Sequence, residues 1–161
     1  MNKAVFLDRD GVINNDLDHY YVYKPDDVII NPGIPELLKN LYDRGFLLII
    51  ISNQGGISKG IYSQEDVEKT NKKILELLKN YKIEFAEIYY CTHYQQIEKC
   101  ICKKPDSLMI EKAISRFKID PSLSYFIGDR DSDIEAGNKM GLKTIKVEPN
   151  QNMELLIYDI L

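Results

Sequence analysis

The chain alternates short runs rich in apolar and β-branched residues with longer stretches whose apolar positions recur every three or four residues. Residues 4–7, 47–51, 85–90, 124–127 and 142–147 are the runs, each of strand length and too short for an ordinary helix. The run 47–51 shows no polar alternation, as expected of a strand covered on both faces. Between the runs, 34–44 carries Leu37, Leu38 and Leu41 on one helical face, and 64–81 carries Val67, Ile74, Leu77, Leu78 and Tyr81. Further helices are predicted over 107–117, 132–140 and, at the end, 153–160.

The punctuation agrees with the periodicity. Pro32-Gly33 announces the first helix and Gly45 stops it. Ser63 reads as an N-cap, with Glu65 and Asp66 placed to complement the helix dipole. Gly141 ends the stretch 132–140. Strands alternating with helices predict an α/β fold, a doubly wound parallel sheet with helices on both faces, because each crossover is right-handed and covers a face. No linker, repeat or cap domain interrupts the pattern, so 1–161 reads as a single domain, a size sufficient for one core.

Composition narrows the function. Net charge is −4, with 44% hydrophobic and 29% charged residues, which points away from nucleic acid and from anionic membrane as partners. The first apolar run ends at Asp8, well short of a secretory signal, and 46–51 is too short to span a bilayer. The expectation is a cytoplasmic protein, working as a monomer, with reduced thiols. Cys91, Cys100 and Cys102 are the three cysteines, an odd and clustered set that argues for metal binding over disulfides.

Ligands of doubly wound sheets sit beyond the carboxyl ends of the strands, and Asp8, Asp10, Ser52, Asn53 and Asp129 all fall just past predicted strand ends. This set suits phosphoryl transfer. Asp8, Asp129 and the main-chain carbonyl of Asp10 are candidate Mg²⁺ ligands, hard oxygens for a hard cation. Asp8 is the candidate nucleophile and Asp10 the candidate acid and base. Ser52, Asn53 and Lys104 are candidates for the non-bridging phosphate oxygens, with the amides of Gln54, Gly55 and Gly56 as a supporting nest. Asp133 either orients Lys104 or reaches the metal through water. In the long loop after the first strand, His19, Tyr20, Tyr21 and Tyr23 either line a substrate pocket or pack the loop down.

A second constellation lies at about 91–104. Cys91-x-His93 and Cys100-x-Cys102 offer three thiolates and an imidazole, a closed tetrahedral set for a structural Zn²⁺. Its metal would order a loop too small for its own core and would help place Lys104, two residues beyond Cys102.

Asp8-Arg9-Asp10-Gly11-Val12-Ile13-Asn14, Ser52-Asn53-Gln54, Lys103-Lys104-Pro105 and Gly128-Asp129-Arg130 together resemble the four motifs of the haloacid dehalogenase-like phosphatases, and the zinc ligands resemble those of the family's capless, zinc-containing subgroup. The likeness runs from about residue 3 to 147. It implies a Rossmann-like fold, Mg²⁺ held by Asp8, Asp10 and Asp129, and a phosphomonoester hydrolase working through an aspartyl-phosphate. It also implies substrate contacts at Ser52, Asn53, Lys103, Lys104 and Arg130; Gln54 and Gly55 of the amide nest, and His19 and Tyr21 of the long loop, are substrate-binding candidates from the residues themselves. The implied substrate is a small phosphorylated sugar. The opening motif with Tyr21-Val22 favours a heptose 1,7-bisphosphate cleaved at C7, and histidinol phosphate is the alternative. Lys103 stands where arginine is usual and lacks its planar fork; Thr92 and Gly56 replace a common proline and serine. A reading from another class, a receiver domain that accepts a phosphoryl group, would want a carboxylate at the end of the middle strand, where Ser52-Asn53 stands.

Overall fold

The computed structural model describes residues 1–160. Five parallel strands form one sheet in the order β3-β2-β1-β4-β5: β1 (Lys3–Leu7), β2 (Phe46–Asn53), β3 (Phe85–Cys91), β4 (Tyr125–Gly128) and β5 (Lys143–Lys146). Four α-helices connect them: α1 (Ile34–Asp43), α2 (Gln64–Leu78), α3 (Leu108–Phe117) and α4 (Asp131–Lys139). This is the expected doubly wound α/β architecture.

Strand alternation divides the core. Val5, Leu7, Leu48, Ile50 and Ile127 point to one face, where Leu37, Leu38 and Leu41 of α1 and Ile74 and Leu78 of α2 cover them. Ala4, Phe6, Ile49, Ile51 and Phe126 point to the other, beneath Met109, Ile110 and Ala113 of α3 and Ala136 of α4. All these residues are buried, which is why β2 reads as continuous apolar sequence.

Local chemistry fixes the ends. Ser63 caps α2 through a reciprocal box: its Oγ accepts from the Asp66 amide at 3.1 Å, while its own amide donates to Asp66 Oδ2 at 2.8 Å. Gly45 takes φ +81° just after α1, as its role as a stop requires. The last helix differs from expectation. It is a 3₁₀ turn over Glu154–Asp159, and Met153, Leu156, Ile157 and Ile160 are the residues it buries against the α1 side. Six residues docked by a few apolar contacts do not supply the length that α-helix propagation needs.

The segment between β1 and α1 is also more ordered than a loop. Ile13 and Asn15 bond to Asn31 and Ile29 across it, at 2.9 and 2.8 Å, and Val12, Ile13, Val22 and Val28 enter the core. It includes one 3₁₀ turn, Pro25–Asp27. No helix among the described residues is long and apolar enough to cross a membrane.

Candidate active site

The sheet places Asp8 and Asp129 side by side. Leu7 pairs with Ile127 across β1 and β4, and the Asp8 amide donates to Ile127 O at 3.1 Å, so both chains leave the sheet at the same level. Asp133 on the first turn of α4 completes a group in which one oxygen of each carboxylate lies within 4.8 Å of the others. Lys104 enters from below. Its Nζ donates to Asp8 Oδ1 at 2.9 Å and to the Ile51 carbonyl at 2.8 Å, and is ion-paired with Asp133 Oδ1 at 2.5 Å. The choice left open for Asp133 is thereby narrowed: it touches Lys104 directly.

Three buried carboxylates face one ammonium, and that imbalance sets the electrostatics. Burial pushes Asp8 up to about 8; Lys104 opposes this, while Asp133 and Asp129 reinforce it. Burial likewise raises Asp129. Burial works against the charge of Lys104, but Asp8 and Asp133 beside it outweigh that and hold it above its ordinary value. Asp129 Oδ1 is buried with no hydrogen-bond partner. An uncompensated acidic cluster with an orphaned oxygen fits a hard divalent cation such as Mg²⁺.

Asp10 sits apart from that cluster and is held by donors. Arg9 Nε and Nη2 reach Oδ1 and Oδ2 at 3.1 Å each, Asn14 Nδ2 reaches Oδ1 at 2.9 Å, and Gln54 Nε2 reaches Oδ2 at 3.0 Å. Tyr62 fixes the orientation of Gln54. Its hydroxyl, which burial pushes up to about 12, donates to Gln54 Oε1 at 2.7 Å and so turns Nε2 towards Asp10.

Two sequence candidates do other work. Ser52 is buried within β2, and its Oγ accepts from Gln54 Nε2 at 2.8 Å without reaching the cavity wall. His19 is half-exposed, 3.5 Å from Asp27 Oδ1, and also stands off the wall. Asn53 reaches the wall, yet its amide is spent on the main chain of Lys104, at 3.0 and 3.1 Å.

A cavity of about 130 Å³ opens above Asp8, Asp10, Lys104 and Asp133. Gln54, Gly55 and Gly56 form one side, Tyr20, Tyr21 and Arg130 another, and Tyr94 and Lys103 a third. Tyr23 packs instead, stacked on Tyr62 with ring centroids 5.1 Å apart, so the tyrosine loop both lines the cavity and anchors itself. Lys59 was not foreseen: its Nζ donates to Tyr21 Oη at 2.7 Å and lies 3.9 Å from the Tyr94 ring centroid. Lys103 approaches the same ring at 5.1 Å. Among the described residues, Lys59, Lys103 and Arg130 have no carboxylate ion partner. Arg9, Tyr62 and Tyr94 were likewise not singled out; for Arg9 the available signal was a cation between two carboxylates.

Cys91 at the end of β3 meets His93, Cys100 and Cys102, with one ligand atom from each within 4.8 Å of the others. His93 Nδ1 is 3.4 Å from Cys91 Sγ and 3.3 Å from Cys102 Sγ; Cys91 Sγ is 3.6 Å from Cys100 Sγ and 2.7 Å from Cys102 Sγ. Three soft sulfurs and one imidazole nitrogen converging this closely could hold a zinc ion. Burial raises the Cys91 thiol, a cost that thiolate coordination would offset.

Residues 101–154 match the HAD-hydrolase-like family model. Over 148 residues the chain is 39% identical to the D-glycero-beta-D-manno-heptose-1,7-bisphosphate 7-phosphatase of Haemophilus ducreyi, covering 88% of this chain and 80% of that one. It is 41% identical over 143 residues to the D-glycero-alpha-D-manno-heptose-1,7-bisphosphate 7-phosphatase of Campylobacter jejuni, covering 89% and 80%. Among solved structures, a D,D-heptose 1,7-bisphosphate phosphatase from B. bronchiseptica, complexed with magnesium and phosphate, aligns over 97% of this chain and 86% of its own, with a TM-score of 0.85 and 26% identity. The chain therefore belongs to the haloacid dehalogenase-like hydrolase family and is, like these named relatives, a phosphatase.

Proposed function

We propose that the chain removes the 7-phosphate of D-glycero-D-manno-heptose 1,7-bisphosphate through an aspartyl-phosphate on Asp8, acting as one domain and one monomer in the cytoplasm. The observation that carries this reading is the buried Asp8-Asp129-Asp133 cluster with Lys104 at the base of a cavity whose walls hold three cations without a carboxylate partner among the described residues. A substrate with a second phosphate suits such walls, and the names of the two relatives point to the beta and alpha anomers of this bisphosphate.

Asp8 and Asp129 side chains and the Asp10 carbonyl would hold Mg²⁺, which when bound offsets the repulsion between a carboxylate and a phosphate ester. The remaining steps belong to the chain. An Asp8 carboxylate oxygen attacks phosphorus, and the bond from phosphorus to the C7 oxygen breaks. The Asp10 carboxyl gives its proton to that departing oxygen. The resulting Asp10 carboxylate then takes a proton from water as the water oxygen attacks phosphorus, which frees inorganic phosphate and restores Asp8. Lys104 holds Asp8 in place and offsets charge on the transferred group. The Gln54 amide, expected in the phosphate nest, instead donates to the Cys91 carbonyl at 2.7 Å, which leaves the Gly55 amide for that group, while Lys103, Arg130 and Tyr21 receive the rest of the sugar phosphate. Cys91, His93, Cys100 and Cys102 would hold Zn²⁺, which when bound would keep the wall carrying Tyr94 and Lys103 folded. Ser52 and His19 take no direct part.

The test is phosphate release from purified protein with Mg²⁺, comparing both anomers of the heptose bisphosphate with histidinol phosphate. Selective loss of the 7-phosphate is expected. A preference for histidinol phosphate of about tenfold, or about 1.4 kcal/mol of barrier, overturns the assignment.

A further inference from the structure

Arg9 lies between two catalytic candidates in sequence, yet its side chain turns away from Asp8 and is completely buried. Burying a guanidinium is expensive unless its donors are used. Here they are: Nε and Nη2 fork onto Asp10, Nη1 donates to Asn71 Oδ1 of α2 at 2.9 Å, and Nη2 donates to the Val22 carbonyl at 2.7 Å. Val22 is flanked by Tyr21, on the cavity wall, and Tyr23, stacked on Tyr62. A second route runs from Tyr62 through Gln54 to the same carboxylate.

We propose that Arg9, braced by Asn71, is a positioning residue that fixes the Asp10 carboxyl for proton transfer and ties it to the seating of the tyrosine loop. The fork sets the plane of the carboxyl, which a single-point cation would leave free to rotate. Asn71 restrains the guanidinium from the far side, and the Val22 carbonyl makes the loop part of the same clamp. An ion pair that merely stapled the core would need no contact with a group facing the cavity, and Asp10 is on the cavity wall. The inference rests on the acid role given to Asp10 above.

The test exploits leaving-group chemistry. A nitrophenyl phosphate expels a stable phenolate and needs little protonation, whereas the sugar phosphate expels an alkoxide and depends on it. Arg9→Lys keeps the charge without the fork, and Asn71→Leu removes the brace without touching Asp10. Either variant, with Mg²⁺ and zinc intact, is expected to lose about tenfold or more in kcat/KM on the sugar phosphate, against less than about threefold on the aryl ester, because kcat/KM covers only the steps through departure of the leaving group and not the later attack of water, where Asp10 serves both esters alike. Equal losses on the two esters, or none, overturn the inference. Asp10→Asn, measured alongside, keeps the two claims apart. If it fails to discriminate between the esters, the acid role falls and this positioning role with it; if only it discriminates, the positioning role alone falls.

Discussion

Asn53 grips both main-chain polar groups of Lys104: its Oδ1 accepts from the Lys104 amide at 3.0 Å and its Nδ2 donates to the Lys104 carbonyl at 3.1 Å. The contact spans 51 residues and joins the end of β2 to the segment beyond the cysteines. Lys104 thus owes its place to β2 as well as to any metal in the cysteine loop.

Asn53→Ala frees that main chain. Turnover should fall by about tenfold, or about 1.4 kcal/mol, while lost hydrogen bonds lower stability by only about 1–2 kcal/mol. Steady-state kinetics beside thermal melting checks both, and unchanged turnover would show that Asn53 does not position Lys104.

Asp8→Asn should abolish turnover by about a thousandfold or more, as removal of a nucleophile does. The same change should raise the melting temperature of metal-free protein at pH 8, because a neutral amide replaces a carboxylate that burial and its acidic neighbours disfavour. A lower melting temperature would contradict that account of the site.

Mg²⁺ should stabilise the protein more as pH rises. Asp8 has its folded value raised from 3.8 to about 8, so its contribution to stability is fully present below the unfolded value and is lost as pH climbs through the folded one. Metal-free protein should therefore weaken from about pH 4 to about pH 8, while the cation, which binds the ionised form, offsets the loss. Thermal melts with and without Mg²⁺ at several pH values read this directly; a pH-independent increment would remove Asp8 from the ligand set.

Stripping the cysteine site, by chelation or by Cys100→Ser with Cys102→Ser, should release one zinc per chain and lower the melting temperature. Because Asn53 still holds Lys104, the loss should fall more on KM, through Lys103 and Tyr94, than on kcat. Metal analysis and kinetics on the same sample decide it, and full activity in zinc-free protein would uncouple this loop from the cavity.

Gly11→Ala should be disruptive. Gly11 takes φ +86°, and an added Cβ would stand 2.5 Å from Asp129 Oδ2. Overpacking of this kind costs about 1–3 kcal/mol, and the displaced carboxylate should weaken Mg²⁺ binding as well, measurable by calorimetry.

The sequence announced whatever depends on local pattern or on the position of strand ends. Apolar runs located all five strands, Ser63 and Gly45 marked helix boundaries, and a parallel sheet necessarily carries Asp8 and Asp129 to the same edge. Partner choice through space was not legible. Ser52 and Asn53 sit on alternate sides of β2, and only the fold decides that one serves Gln54 and the other the main chain of Lys104. Arg9 reads as an exposed cation until the tyrosine loop and α2 close over it. Lys59 and Tyr94 belong to separate loops with no shared motif, and their contact follows from where those loops fold.

The register of β1 on β4 brings together Val5 and Tyr125, 120 residues apart. Most of the polypeptide must therefore leave the ribosome before the first acidic motif can meet its counterpart, and nascent chains ending short of residue 133 lack one of the three carboxylates and the salt bridge it makes. Synthesis itself thus withholds the completed acidic cluster until residue 133 of the 161 has been made.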